Sequence, residues 1–187
     1  MAKIGMREPR YRVMNITADA QGKEVITYGE KKVMGKAISA NVAVNVTEAK
    51  LYADDTLAES VKEFIDGTLT VNTDDLEDTV EADLLGATVG ENGEIINKGD
   101  DSAPWVELGY ILARMKSGKK QYRGVLYTKV QFAIPSENNQ TKGQTIAFDT
   151  PSMTGTLTTD ADGVWRRKSK WLDTPTAAQE WLDTAMT

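Results

Sequence analysis

Between Ala37 and Thr47 the apolar residues Ile38, Ala40, Val42, Val44 and Val46 alternate with Ser39, Asn41, Asn45 and Thr47. That period of two predicts a strand with one dry face and one wet, uncharged face. A first strand is expected over residues 10–17, RYRVMNIT, with Asp19, Gln21 and Gly22 as turn residues before a second extended piece at 24–29, so the start of the chain reads as a hairpin. GTLTVNT (67–73) sets Leu69 and Val71 against Thr68, Thr70 and Asn72 and predicts another strand. Residues 105–134 contain two extended runs divided by Lys116, Ser117, Gly118 and Lys119, which predicts a long hairpin with a basic tip. After the polar stretch that follows Pro135, alternation resumes through Phe148, Met153, Gly155 and Leu157. DADG (160–163) then makes a turn, and Trp165 begins a last strand.

Helical spacing is confined to three places. Leu76, Val80 and Leu84, with Leu85, fall on one face of a helix expected over 75–85, with Asp74 as N-cap, Glu77 completing a capping box and Gly86 as the stop. Thr174 and Pro175 open a C-terminal amphipathic helix with Ala178, Trp181, Leu182 and Ala185 on one face, packing either on its own domain or on a neighbouring subunit. In TLAESVKEFIDG, Leu57, Val61, Phe64 and Ile65 sit at near-helical spacing, which fits a short or induced helix, or else a long loop. The fold class expected is mainly β with a flanking helix. One domain is expected, with residues 1–167 forming its β-rich body and 168–187 a helical extension of it.

Composition narrows the chemistry. The 187 residues include no Cys and no His, which removes disulfides, thiolate nucleophiles, zinc–thiolate sites and the commonest general base. The paired acids Asp54/Asp55, Asp74/Asp75 and Asp100/Asp101 suit turns and caps better than acid–base work. DADG imitates the start of a calcium loop, but Trp171 stands where the bidentate Glu belongs. No phosphate loop or nucleophile elbow occurs, so no enzyme, cofactor or metal is expected. No segment is apolar enough to span a membrane, and the N-terminus lacks a signal-peptide core, so the protein is expected to stay in the cytosol that makes it.

The net charge of −6 is unevenly spread. Residues 48–101 hold 16 Asp/Glu against 3 Lys/Arg, a net of −13, whereas residues 1–47 carry +4 and 102–187 carry +3. An acidic surface disfavours gripping nucleic acid. It forms either a solvated face or a complement to the basic ends of neighbouring copies.

With these elements placed, the ordered text LYADD (51–55), TVEADLLG (79–86), NKGDDSAPWVELGY (97–110), YRGVLYTKVQFAIPSE (122–137) and TKGQTIAFDTPSMTGTLTTDADGVWR (141–166) resembles the major tail, or tail tube, proteins of long-tailed bacteriophages infecting Gram-positive bacteria. The similarity spans about residues 5–167 and excludes the last twenty. It implies a tail-tube-type β-sandwich or barrel that forms hexameric rings stacked into a tube. Phage DNA would pass through that tube without sequence-specific binding. The partners implied are further copies of the chain, a tape measure protein, and tail-tip and tail-terminator proteins, in a virion tail assembled in the host bacterial cytoplasm. The tube of a contractile or phage-derived injection machine is a related reading, and a monomeric cytosolic binding module is the reading from a different class. The segment from Glu48 to Gly67 is expected to act as an acidic, partly apolar connector reaching a neighbour, with Leu51, Tyr52, Leu57, Val61, Phe64 and Ile65 as the intersubunit contact. The wet face of the clear strands, or of the long hairpin, is expected to line the lumen.

Overall fold

The computed structural model describes residues 3–22, 24–136 and 150–187. The expected alternation near Phe148 lies outside these residues. The elements are β1 (Lys3–Ala18), β2 (Glu24–Tyr28), β3 (Lys32–Val33), β4 (Ala37–Ala53), β5 (Thr56–Thr73), α1 (Asp78–Leu85), β6 (Thr88–Val89), β7 (Ile95–Ile96), β8 (Trp105–Lys116), β9 (Lys119–Phe132), β10 (Ser152–Leu157), β11 (Arg166–Lys168) and α2 (Pro175–Ala185). The protein is mainly β with flanking helices.

Nine of the strands form one antiparallel sheet in the order β2-β1-β8-β9-β10-β5-β4, with β3 added to β1 and β11 to β9; β6 and β7 form a separate pair. The two halves of the main core therefore come from one sheet folded over on itself, and β1 meets β4 without pairing with it. The concave face is filled by Tyr11, Leu69, Leu108, Tyr127, Met153 and Leu157, among others, and α1 closes it with Val80, Leu84 and Leu85. Two buried tyrosines share a hydrogen bond there, Tyr110 Oη to Tyr127 Oη at 3.0 Å, which satisfies both hydroxyls in an apolar setting. Tyr11 donates to Asp83 on α1 at 2.8 Å.

On the opposite face of the sheet, α2 packs Ala178, Leu182 and Met186 against Ile111 and Leu126. The sheet admits the helix because Gly109 and Gly124 lack side chains: a Cβ on Gly109 would come 2.5 Å from Leu182 Cδ1, and one on Gly124 would meet the Trp181 ring. The helix packs on the sheet of its own chain, and Thr174 caps it by accepting from the Ala177 N–H at 3.2 Å.

Two hairpins turn in two residues each. Asp54 and Asp55 have φ of 48° and 59°, and Ser117 and Gly118 have 49° and 76°. Positive φ at both central positions matches the twist of the flanking strands, as in type I′ turns. The Asp pair of LYADD is thus a turn.

The N-terminal hairpin, the strand beginning at Ala37 and the 105–134 hairpin form as the pattern predicts. Three expectations are corrected. Residues 56–66 are neither helix nor loop: they extend β5 and pair with β4 as far as Ala53↔Thr56, because the tight Asp54–Asp55 turn brings the strands into register. The first helix starts at Asp78, not 75, and its N-cap Glu77 makes no side-chain cap. Asp74 cannot cap it, because its backbone N–H donates to Lys36 O at 3.0 Å and its carboxylate accepts from the Lys36 N–H at 2.8 Å. Those bonds hold Asp74 beside the sheet. Gly86 does end the helix, with φ 75° and its N–H on Ala82 O. Finally, the dry face expected along 37–47 is covered only at Ala40 and Val42; Ile38, Val44 and Val46 stay exposed.

Candidate assembly site

β4 and β5 run on together past the sheet as a two-stranded arm. From Thr47 to Glu63 every residue is exposed, which leaves both faces in water. Isolated two-stranded ribbons are marginal in water, and exposed apolar patches mark interaction surfaces. Among the expected contact residues, Leu51 is 59% exposed, Tyr52 63%, Leu57 53%, Val61 45% and Ile65 55%. Covering a side chain that is half in water contributes roughly 1 kcal/mol.

Phe64 behaves differently. It is half-buried and stacks on Trp165 with ring centroids 4.7 Å apart and planes 3° from parallel. Trp165 in turn packs on the core and holds the Arg166 guanidinium 4.1 Å from its ring centroid. Phe64 therefore pins the root of the arm to the body of the same chain, a contact that the sequence spacing alone does not reveal.

The six residues do not share one face. Cross-strand partners point the same way, so the pairs Val46↔Phe64, Glu48↔Lys62 and Tyr52↔Leu57 mark the side continuous with the core. Thr47↔Glu63, Ala49↔Val61 and Leu51↔Glu59 mark the other. Register shifts that leave Ile65 and Ala58 without partners bend the ribbon at both ends. The charges divide along the same line. Lys50 and Lys62 both pair with Glu48, at 3.2 and 3.5 Å, on the core side. The outer side and tip carry Glu59, Glu63, Asp54 and Asp55 beside Leu51 and Val61, with no cation paired to them among the described residues.

Below the arm, beyond the Asn45↔Asp66 pair at its root, the outer face of β4, β5 and β10 is uncharged. Ser39, Asn72 and Ser152 form one row across β4, β5 and β10, Asn41, Thr70 and Thr154 a second, and Ala43, Thr68 and Thr156 a third. Hydrogen bonds tie neighbours together, Thr70 Oγ1 to Thr154 Oγ1 at 3.2 Å and Asn72 Nδ2 to Ser39 Oγ at 2.7 Å. Among the described residues β4 is the last strand of this sheet, and none of them pairs with its outer backbone edge.

The other acidic pairs have local duties. Asp74, exposed, is held below the usual carboxylate range chiefly by the hydrogen bond from the Lys36 backbone. Asp101 accepts from the Lys98 N–H at 2.6 Å. Asp160 accepts from the N–H groups of Asp162 and Val164 at 3.0 and 2.8 Å, which makes DADG a side-chain-stabilised turn. Among the described residues no group of three or more acids is placed to hold a metal ion. A cleft of about 820 Å³ opens between β1, β3 and the start of α1, lined by Met34, Lys32, Lys36, Asp74 and Glu77.

The case for a function therefore stands on the arm and its adjoining face, since no protein-family model matches the chain and no curated protein matches it significantly.

Proposed function

We propose that the chain is a structural subunit that polymerises into a tube of the kind built by phage major tail proteins, with the β4–β5 arm as its main assembly element. The observation that carries this reading is a long ribbon exposed on both faces, with Leu51, Tyr52, Leu57 and Val61 in water among its charges, and continuous with an open sheet edge. A ribbon of that length and composition gains a partner most economically from another copy of the same chain. Further copies, a tape measure protein and tail-end proteins are the partners this reading carries, in a phage tail. Catalysis has no part in it.

In that tube the Ser/Thr/Asn rows of β4, β5 and β10 face the lumen. Hydroxyls and amides without cations give a phosphate backbone nothing to hold, so DNA slides past them.

Sedimentation velocity and negative-stain microscopy, with and without a tail initiator complex, test the proposal. Rings or tubes are expected once the initiator is added. A chain that stays monomeric at high concentration in its presence contradicts the reading and favours the alternative of a cytosolic binding module, for which the cleft beside Met34 is the natural site.

A further inference from the structure

The β8–β9 hairpin has its own asymmetry. The face that carries Tyr110, Val125 and Tyr127 into the core continues outward through the pair Leu112↔Arg123, then Arg114↔Gln121, then Lys116↔Lys119. Lys3 pairs with Arg114 from one side, and Lys168 pairs with Val125 from the other. The core side of the sheet thus ends in a row of cations. Trp171 lies under it, with the Arg114 and Arg123 guanidiniums 4.0 and 4.5 Å from its ring centroid. Arg114 also donates to Gln121 Oε1, and Asp173 accepts from Gln121 Nε2 at 3.4 Å. Arg123 Nε is buried without a hydrogen-bond partner. Lys3 and Lys168 are exposed.

We propose that the acidic outer side of one copy's arm, Glu59 and Glu63 beside Leu51 and Val61, docks on the basic row formed by Lys3, Arg123 and Lys168 beside Trp171 of a second copy. The two surfaces match in kind: a strip of carboxylates around two aliphatic side chains meets a strip of cations around an indole. Each is incomplete alone, since the arm's two lysines are engaged by Glu48 on its other side, and the row gathers cations that repel one another. Partial desolvation of its side chain, followed by the neighbouring Arg166, Arg123 and Lys3, holds Lys168 below the ordinary lysine value, and an arriving carboxylate would relieve that repulsion.

The inference rests on the assembly reading and adds the receptor surface to it. Its test is charge reversal at exposed positions. Glu59→Lys with Glu63→Lys, and separately Lys3→Glu with Lys168→Glu, should each raise the concentration needed for initiated assembly by about tenfold or more. A chain carrying all four reversals should return to near the wild-type value. Because the protein has no cysteine, Glu59→Cys in one preparation and Lys168→Cys in another should form a mixed disulfide on assembly, whereas Glu59→Cys with Ser39→Cys should not. If wild type assembles and the double reversals assemble equally well, or the fourfold chain stays folded without recovery, the docking is wrong while the tube reading survives. If wild type never assembles, both fail. Salt-sensitive binding of a single-stranded oligonucleotide, lost in Lys3→Glu with Lys168→Glu but with no mixed disulfide, would overturn the docking in favour of a nucleic-acid site.

Discussion

Phe64 stacks on Trp165 almost parallel, at 4.7 Å between ring centroids, and this contact anchors the arm to the body of the chain. The stack sets Phe64 apart from the exposed arm residues, which touch nothing in the core. Phe64→Ala removes a half-buried aromatic pair, so it should lower the unfolding free energy by about 1–3 kcal/mol in urea titrations. Leu51→Ala or Leu57→Ala, exposed on the arm, should change it by no more than about 0.5 kcal/mol. Equal effects for Phe64 and Leu57 would remove the distinction.

A second stability prediction concerns α2. Leu182 is fully buried against Ile111 and Leu126, so Leu182→Ala should cost about 2–5 kcal/mol. A cost near zero by denaturant titration would show that the helix does not pack on its own sheet.

The ion pair across β1 and β8 gives a pH prediction. Arg12 Nε lies 2.5 Å from Glu107 Oε2, both side chains are 7% exposed, and Tyr28 lies 3.7 Å over the guanidinium. Burial pushes the Glu107 carboxyl above its ordinary value, opposed by the hydrogen bond and charge of Arg12 and the charge of Arg167, with Asp160 adding a further upward push. A raised folded-state value means that the folded chain holds the proton more tightly than the unfolded one, so the corresponding stability is complete in acid and lost as pH rises through the raised value. The stability of wild type minus that of Glu107→Gln, two neutral side chains in acid, should therefore be greatest near pH 4 and fall as pH rises towards 7, measured by urea unfolding at each pH. A difference that rises with pH would contradict this assignment.

Most of the sheet was legible because alternation and turn chemistry agreed: the Ala37 strand, the basic-tipped hairpin and the Gly86 stop all follow from local residues. The arm was misread at 56–66 because Leu57, Val61 and Phe64 happen to fall at a helical spacing, while the decisive signal, two Asp residues both at positive φ, is a conformation that spacing does not encode. Asp74 made a good cap in sequence and a poor one in space, since Lys36 claims both its backbone and its carboxylate. The clamp on Phe64 was invisible because Trp165 lies about a hundred residues away. The basic row was visible only as scattered Lys and Arg; its coherence comes from the register that sets Lys3 beside Arg114 and Lys168 beside Val125.

The uncharged rows on β4, β5 and β10 yield a prediction about transport. Asn41→Lys with Thr154→Lys should leave the fold intact, because both side chains lie on the outer face, and should make assembled tubes retain duplex DNA with an affinity that falls steeply with salt. Retention unchanged from wild type, measured by co-sedimentation of labelled DNA with tubes, would move the lumen to another face.

The most direct test of the account is initiated assembly of Tyr52→Asp with Leu57→Asp, a pair that faces the same way near the arm tip and touches nothing in the core. Circular dichroism and sedimentation should show a folded monomer, and negative-stain images with the initiator complex should show no tubes. Tubes forming at the wild-type concentration from this folded variant would contradict the claim that the arm drives assembly.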